Sequence, residues 1–180
     1  CDSVIVEIDM EAKLLKPIFA LAEKYKKKIY AAVSNMSIAL ERRDLLKTTA
    51  CIVCNQQEAG MLFSEEFEEM DLEEKASRLS SLVVKAQFPQ MIMTLGAKGA
   101  IYAEQNGNHG YCKAKKVHVL DTAGAGDAFF AGVATGLSYG KSLEEACEIG
   151  SRLAASVLGT SENVNPRYLP EELGLKSIEK

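Results

Sequence analysis

Short apolar segments alternate with longer amphipathic segments over the first half of this 180-residue chain, and this alternation limits the possible folds more than any other feature. The apolar segments have the length of strands, and the longer ones carry apolar residues at helical spacing. Strands separated by helices form right-handed βαβ units, so a largely parallel sheet is expected. The predicted strands are residues 3–8, 29–33, 50–54 and 91–95, and the predicted helices are residues 11–25, 38–46, 55–63 and 72–88.

The pattern changes after residue 95. Residues 99–103 and 111–118 predict two short strands around Asn106-Gly107, a dipeptide typical of hairpin turns. We therefore expect an antiparallel edge on the sheet. No linker or repeat interrupts the chain, which indicates one α/β domain. The remaining predictions are a helix beginning at residue 127, a helix over residues 142–157, and an extended tail with a final short turn or helix.

Composition and cysteine content limit the partners and the cell compartment. A net charge of −4 argues against a nucleic-acid partner, and no apolar run is long enough to predict a membrane span. The five cysteines, an odd number, do not fit a disulfide framework. Cys51 and Cys54 stand three apart on a predicted strand, so their thiols point to opposite faces and cannot chelate one metal ion. Buried cysteines in a cytoplasmic protein are the expectation.

The stretch DTAGAGD, from Asp121 to Asp127, combines two glycines with the predicted start of a helix. Residues 117–120 are mostly apolar and predict the end of a strand just before it. A strand, a glycine-rich turn and a helix start together favour an anion site, because free amides and the positive helix end converge there. Asp127 adds a base suited to phosphoryl transfer. A plain turn with an aspartate cap is the simpler alternative, and Phe129 at the third glycine position excludes a dinucleotide fingerprint.

The stretch DTAGAGDAFFAG closely resembles the second signature motif of the ribokinase (PfkB-type) family of carbohydrate and nucleoside kinases. The resemblance implies that Asp127 is the catalytic base. It implies that the amides of Gly124, Ala125 and Gly126 form the anion hole, with Thr122 at the bound nucleotide. The implied reaction is ATP-dependent phosphorylation of a hydroxymethyl group of a sugar or nucleoside.

A second candidate site begins at Asn55, where a predicted strand meets a helix. Asn55 and Glu58 have the spacing of a capping box, which would explain both residues without a catalytic role. The placement also resembles the family's N-x-x-E motif, which organises magnesium and phosphate through water. Because a carboxylate beside a phosphate needs a cation between them, we favour the magnesium role.

Two further segments resemble ligand-binding parts of the family. The stretch TLGAKG resembles its nucleotide loop, which implies ATP contacts at Thr94, Gly96 and Gly99. Asp9, after the first predicted strand, stands near the position of a sugar contact. The Asn55 segment, the TLGAKG loop and the loop around Thr122 are the three predicted phosphate-binding elements, and each would follow the carboxyl end of a strand, where open α/β sheets bind ligands.

The resemblance also implies a monovalent-cation site. The family places it between residues equivalent to Asp121 and a loop that here covers residues 160–166. That loop does not match the usual family sequence closely, so dependence on potassium stays open. Its S-E-x-x-N-P pattern is similar to the pseudouridine-kinase-like branch.

The resemblance covers nearly the whole chain but only the C-terminal portion of the family fold. It implies a ribokinase-like three-layer α/β/α fold in which residues 1–180 are the nucleotide-binding and catalytic portion of one kinase domain. The N-terminal part and the lid would be absent, together with any homodimer contact made through the lid. Two alternatives stay open: an inactive nucleotide-binding or assembly module, and a kinase for a vitamin such as pyridoxal or hydroxymethylpyrimidine.

Overall fold

The computed structural model of the protein describes residues 1–160 and 169–175. Its six strands form one sheet in which each strand neighbours the next in chain order. The first four strands are parallel, and the fifth runs antiparallel to the fourth. This confirms the predicted α/β class with a largely parallel sheet and an antiparallel edge. The strands are β1 (Ser3–Glu7), β2 (Lys28–Ala32), β3 (Cys51–Asn55), β4 (Gln90–Thr94), β5 (Gly99–Glu104) and β6 (His109–Lys113).

Contacts divide the described chain into two units. The first contains Cys1–Gly96 and Ala100–Tyr111, and the second contains Ala97–Gly99 and the described residues from Cys112 onward. The prediction that residues 1–180 belong to a single domain stays a prediction. The helices of the first unit are α1 (Ala12–Lys24), α2 (Met36–Leu40), α3 (Arg43–Thr48), α4 (Gln56–Phe63) and α5 (Leu72–Ala86), and those of the second are α6 (Ala125–Ser138) and α7 (Leu143–Leu158).

The first unit has a continuous apolar core. The parallel strands β2, β3 and β4 are buried over most of their length, as expected for strands covered by helices. Helix α1 packs into this core through Leu15, Phe19 and Ala22. None of the described helices combines the length and apolar character needed to cross a membrane.

Two predicted elements are wrong. The helix expected over residues 38–46 is divided into α2 and α3, with a break at Glu41 and Arg42. The strand expected over residues 111–118 ends at Lys113, and the following residues to Val119 have no regular structure. The apolar run before the glycine-rich stretch is therefore not a strand.

The reason for the second error is the lack of a strand partner. The backbone amide of Leu120 donates to the carbonyl of Leu158 at the end of α7, at 2.9 Å, and not to a neighbouring strand. Val119 and Leu120 are 50% and 60% exposed. β-Branched residues favour a strand only where a neighbour can pair with it and cover it, and this segment has left the sheet.

Candidate active site

The loop before α6 is ordered by its own side chains and backbone. The Oδ1 atom of Asp121 accepts a hydrogen bond from the amide of Ala123 at 3.0 Å, and the carbonyl of Thr122 accepts one from Ala125 at 3.4 Å. Gly124, with φ at +75°, is the N-cap residue of α6, which starts two residues earlier than predicted. The loop therefore turns the chain sharply into the helix.

The first turn of α6 presents unused backbone donors. Gly124 has no side chain to cap the helix, and the first amides of a helix lack intrahelical acceptors. Within residues 1–160 and 169–175, the amides of Gly126 and Asp127 have no acceptor. These donors add to the positive end of the helix macrodipole, so the turn can bind an anion.

Asp127 is the acidic residue of this first turn, and it is exposed. A carboxylate at this position stabilises the helix through the macrodipole, which would explain its presence without chemistry. Exposure also leaves it able to accept a proton from a bound hydroxyl group. The geometry suits both functions, so the role of Asp127 as base stays a proposal.

The expectation that all phosphate elements follow strands is correct in two cases and wrong in one. Asn55 is the last residue of β3 and Thr94 is the last residue of β4. These two residues are register partners on adjacent parallel strands. The loop from Asp121 to Gly126 follows the irregular segment instead. The amides at its helix start are therefore the structural feature that favours an anion there.

Asn55 and Glu58 form the predicted capping box at the start of α4. The Oδ1 atom of Asn55 accepts from the amide of Glu58 at 2.9 Å, and the Oε2 atom of Glu58 accepts from the amide of Asn55 at 2.6 Å. Partial burial raises the pKa of the Glu58 carboxyl, and the bond from the Asn55 amide partly opposes that rise. Burial thus works against the charged form of this carboxylate, so a nearby cation would stabilise it.

The two glycines of the predicted nucleotide loop differ in their surroundings. A Cβ on Gly99, where φ is +116°, would lie 2.1 Å from the carbonyl oxygen of Cys112, so packing requires glycine there. A Cβ on Gly96 would meet nothing within 4 Å, but its φ of +58° lies in the left-handed region that favours glycine. Packing therefore does not explain Gly96, whose exposed position leaves room for a ligand. Thr94 lies at the start of the same loop, and its hydroxyl reaches the carbonyl of Cys54 at 3.5 Å.

Asp9 lies in a turn two residues after the end of β1. The sequence reasoning missed its neighbour Glu7, the last residue of β1, whose Oε2 atom accepts from the hydroxyl of Ser34 at 3.1 Å. The sequence did contain a signal for this pair: a carboxylate ends one apolar strand, and a hydroxyl follows the next strand. Glu7, Ser34, Asn55 and Thr94 all stand at or just beyond the carboxyl ends of parallel strands.

Two further predictions concern metal ions: the exclusion of a metal site at Cys51 and Cys54, and a monovalent-cation site at Asp121. Cys51 and Cys54 are buried, and burial raises the pKa of both thiols well above the usual range, which suits inert core cysteines. In the part of the chain that the structure describes, no cluster of three or more His, Cys, Asp and Glu could hold a metal ion. Most of the loop over residues 160–166 lies outside the described residues, so a monovalent cation at Asp121 stays a prediction.

Comparison with known proteins gives this arrangement a family context. The profile of the pfkB family of carbohydrate kinases matches residues 3–168. The chain belongs to this family. A guanosine-inosine kinase from Exiguobacterium acetylicum is 29% identical over 90% of the chain and 53% of its own length. A ribokinase from Schizosaccharomyces pombe is 25% identical over 86% of the chain and 48% of its own length.

Solved structures of sugar kinases share the fold of the chain. A probable sugar kinase from Rhizobium etli has a TM-score of 0.79 and 22% identity, and the match covers 96% of this chain and 53% of the length of the sugar kinase. A ribokinase from Arabidopsis thaliana, complexed with ribose and ATP, has a TM-score of 0.78 and 21% identity, and the match covers 90% of this chain and 51% of the length of the ribokinase. The chain spans about half the length of the PfkB relatives it matches. The matches thus confirm the ribokinase-like fold.

Proposed function

We propose that the protein transfers the γ-phosphoryl group of ATP to a hydroxymethyl group of a sugar or nucleoside. The observation that supports this most directly is the open first turn of α6, where free amides stand beside the exposed carboxylate of Asp127. The family assignment supports the same reaction, since its relatives include a ribokinase and a guanosine-inosine kinase.

In this proposal Asp127 accepts the proton of the acceptor hydroxyl as its oxygen forms a bond to the γ-phosphorus. The bond between that phosphorus and the bridging oxygen breaks, and ADP leaves with the electron pair. The amides of Gly124, Gly126 and Asp127 donate to the negative charge on the transferring group, and the amide of Ala125, whose bond to the carbonyl of Thr122 is long at 3.4 Å, adds to them. They are fixed by the turn and the helix start, so little reorganisation is needed during the reaction.

Asn55 and Glu58 are the residues proposed to hold Mg²⁺ through water. Each uses one side-chain oxygen in the capping box, and the second carboxylate oxygen of Glu58 is available to a water molecule. The raised pKa of this carboxyl fits a site that gains from a cation. The ion would neutralise phosphate charge when bound. Thr94, Gly96 and Gly99 are proposed to contact the nucleotide, and at position 99 packing against Cys112 also requires glycine.

The decisive experiment is a turnover assay on the protein at its full natural length. ATP and Mg²⁺ are supplied with ribose, fructose, adenosine, guanosine, inosine or pseudouridine, and ADP and the phosphate ester are both measured. We expect stoichiometric formation of the two products with at least one acceptor. ATP binding without turnover for any acceptor would contradict the kinase proposal and favour a nucleotide-binding module.

The magnesium role of Glu58 can be separated from its capping role. Glutamine can replace glutamate in a capping box, so Glu58→Gln should keep the stability of the protein. Loss of the charge should raise the Mg²⁺ concentration needed for half-maximal turnover by roughly tenfold. The measurement is turnover as a function of free Mg²⁺, together with a denaturation curve for each variant.

Glu74 offers a matched control for this substitution. It occupies the same position in the capping box of α5, where its Oε2 atom accepts from the amide of Asp71 at 3.0 Å. Glu74→Gln should leave the Mg²⁺ dependence unchanged. If Glu58→Gln behaves in the same way, capping alone explains Glu58.

Asn55→Ala should in addition lower the free energy of unfolding by about 1 kcal/mol, and Asn55→Asp should not.

A further inference from the structure

The break between α2 and α3 places an unusual residue at a helix start. Arg42 is the N-cap residue of α3, with φ at −118° and ψ at 27°, and its side chain makes no cap hydrogen bond. Serine, threonine, aspartate and asparagine are preferred at this position because they can accept a bond from the helix amides. Arginine has donors only. A residue that breaks a local rule often serves a purpose elsewhere in the structure.

The guanidinium of Arg42 bonds instead to the turn that follows β1. Its Nη1 atom donates to the carbonyl of Ile8 at 2.6 Å and also to the carbonyl of Met10. The same turn is closed by a bond from the amide of Met10 to the carbonyl of Glu7 at 3.2 Å. Arg42 therefore holds the backbone on both sides of Asp9. Bonds from a charged donor are stronger than those between neutral groups.

This turn lies at the carboxyl end of β1, on the side of the parallel sheet where α/β folds bind ligands. It carries Asp9 and follows directly on Glu7, and a carboxylate is a strong acceptor for sugar hydroxyls. Among the described residues, Arg42 forms no ion pair, so it does not neutralise either carboxylate. Its two bonds go to backbone carbonyls on either side of Asp9 and fix the shape of the turn.

We propose that Arg42 is a positioning residue for the acceptor: it fixes the turn that presents Asp9 to the hydroxyl groups of the substrate. This inference rests on the proposed kinase function. Loss of the two bonds would let the turn move, and small displacements of a substrate-binding group reduce turnover strongly. The nucleotide contacts proposed at Thr94 and Gly96 belong to a different loop, so binding of ATP should be unaffected.

The test compares Arg42→Ala and Arg42→Lys with the wild-type protein at its full natural length. For Arg42→Ala we expect the KM for the acceptor to rise about tenfold, while the KM for ATP changes less than about twofold. Lysine keeps one charged donor without the planar fork, so Arg42→Lys should restore part of the loss. It also provides a measurement if the alanine variant does not fold.

Arg43 supplies the control, because its Nη2 atom also donates to a backbone carbonyl, that of Leu62 near the end of α4. Arg43→Ala removes a similar contact away from the turn and should change neither KM. An unchanged acceptor KM in both Arg42 variants, equal changes in both KM values, or the same effect in Arg43→Ala would each overturn the positioning role. Wild-type protein without turnover on any acceptor would overturn the kinase proposal and this inference with it.

Discussion

Asp127→Asn should reduce phosphoryl transfer by about 10³-fold, because asparagine cannot accept the proton of the acceptor hydroxyl. Asparagine has the same shape as aspartate and leaves the amides of the first turn of α6 in place, so the affinity for ATP should change little. The measurement is kcat with the best acceptor, combined with ATP binding by calorimetry. A normal kcat in this variant would show that Asp127 stabilises the helix and is not the base.

Asp44 provides the matched control for this substitution. It is an exposed aspartate in the first turn of α3, where it also interacts favourably with the helix macrodipole. Asp44→Asn and Asp127→Asn should therefore each lower the free energy of unfolding by about 0.5 kcal/mol. A loss of turnover confined to Asp127→Asn separates catalysis from helix stability.

The elements that sequence patterns predict correctly are those whose structure depends on local spacing. β3 and β4 fall within one residue of their expected bounds, because short apolar runs between turn signals suit buried parallel strands. The capping box of Asn55 and Glu58 was also predictable, since its partners stand three residues apart on one helix end. No knowledge of the rest of the fold is needed for either.

The errors all depend on contacts between residues far apart in sequence. The break at Arg42 accompanies bonds to Ile8 and Met10, which no helical period can reveal. The end of β6 at Lys113 depends on where the chain leaves the sheet, although Val119 and Leu120 have strand-like composition. In the candidate site, too, some features depend on local sequence and others on long-range contacts. The turn at Gly124 is local, whereas the partial burial that raises the pKa of the Glu58 carboxyl cannot be read from spacing along the chain.

The packing of α6 on α7 is another long-range feature, and it depends on glycine. A Cβ on Gly132 would lie 2.7 Å from the Cα atom of Gly150, and a Cβ on Gly136 would lie 3.0 Å from the Cα atom of Ala146. Small residues four apart on both helices therefore let the two backbones approach closely. A side chain at Gly132 would meet backbone atoms, which cannot move aside without separating the helices.

We expect Gly132→Val to lower the free energy of unfolding by about 3 kcal/mol, the cost of forcing two packed helices apart. Ala131→Val is the control, because Ala131 is exposed on the same helix and its replacement costs only helix propensity, about 0.5 kcal/mol. Chemical denaturation followed by circular dichroism measures both. Equal losses in the two variants would show that α6 and α7 can adjust to a side chain at the crossing. A much larger loss at Gly132 would show that the close approach of the helices is needed to hold α6, and with it Asp127, in the fold.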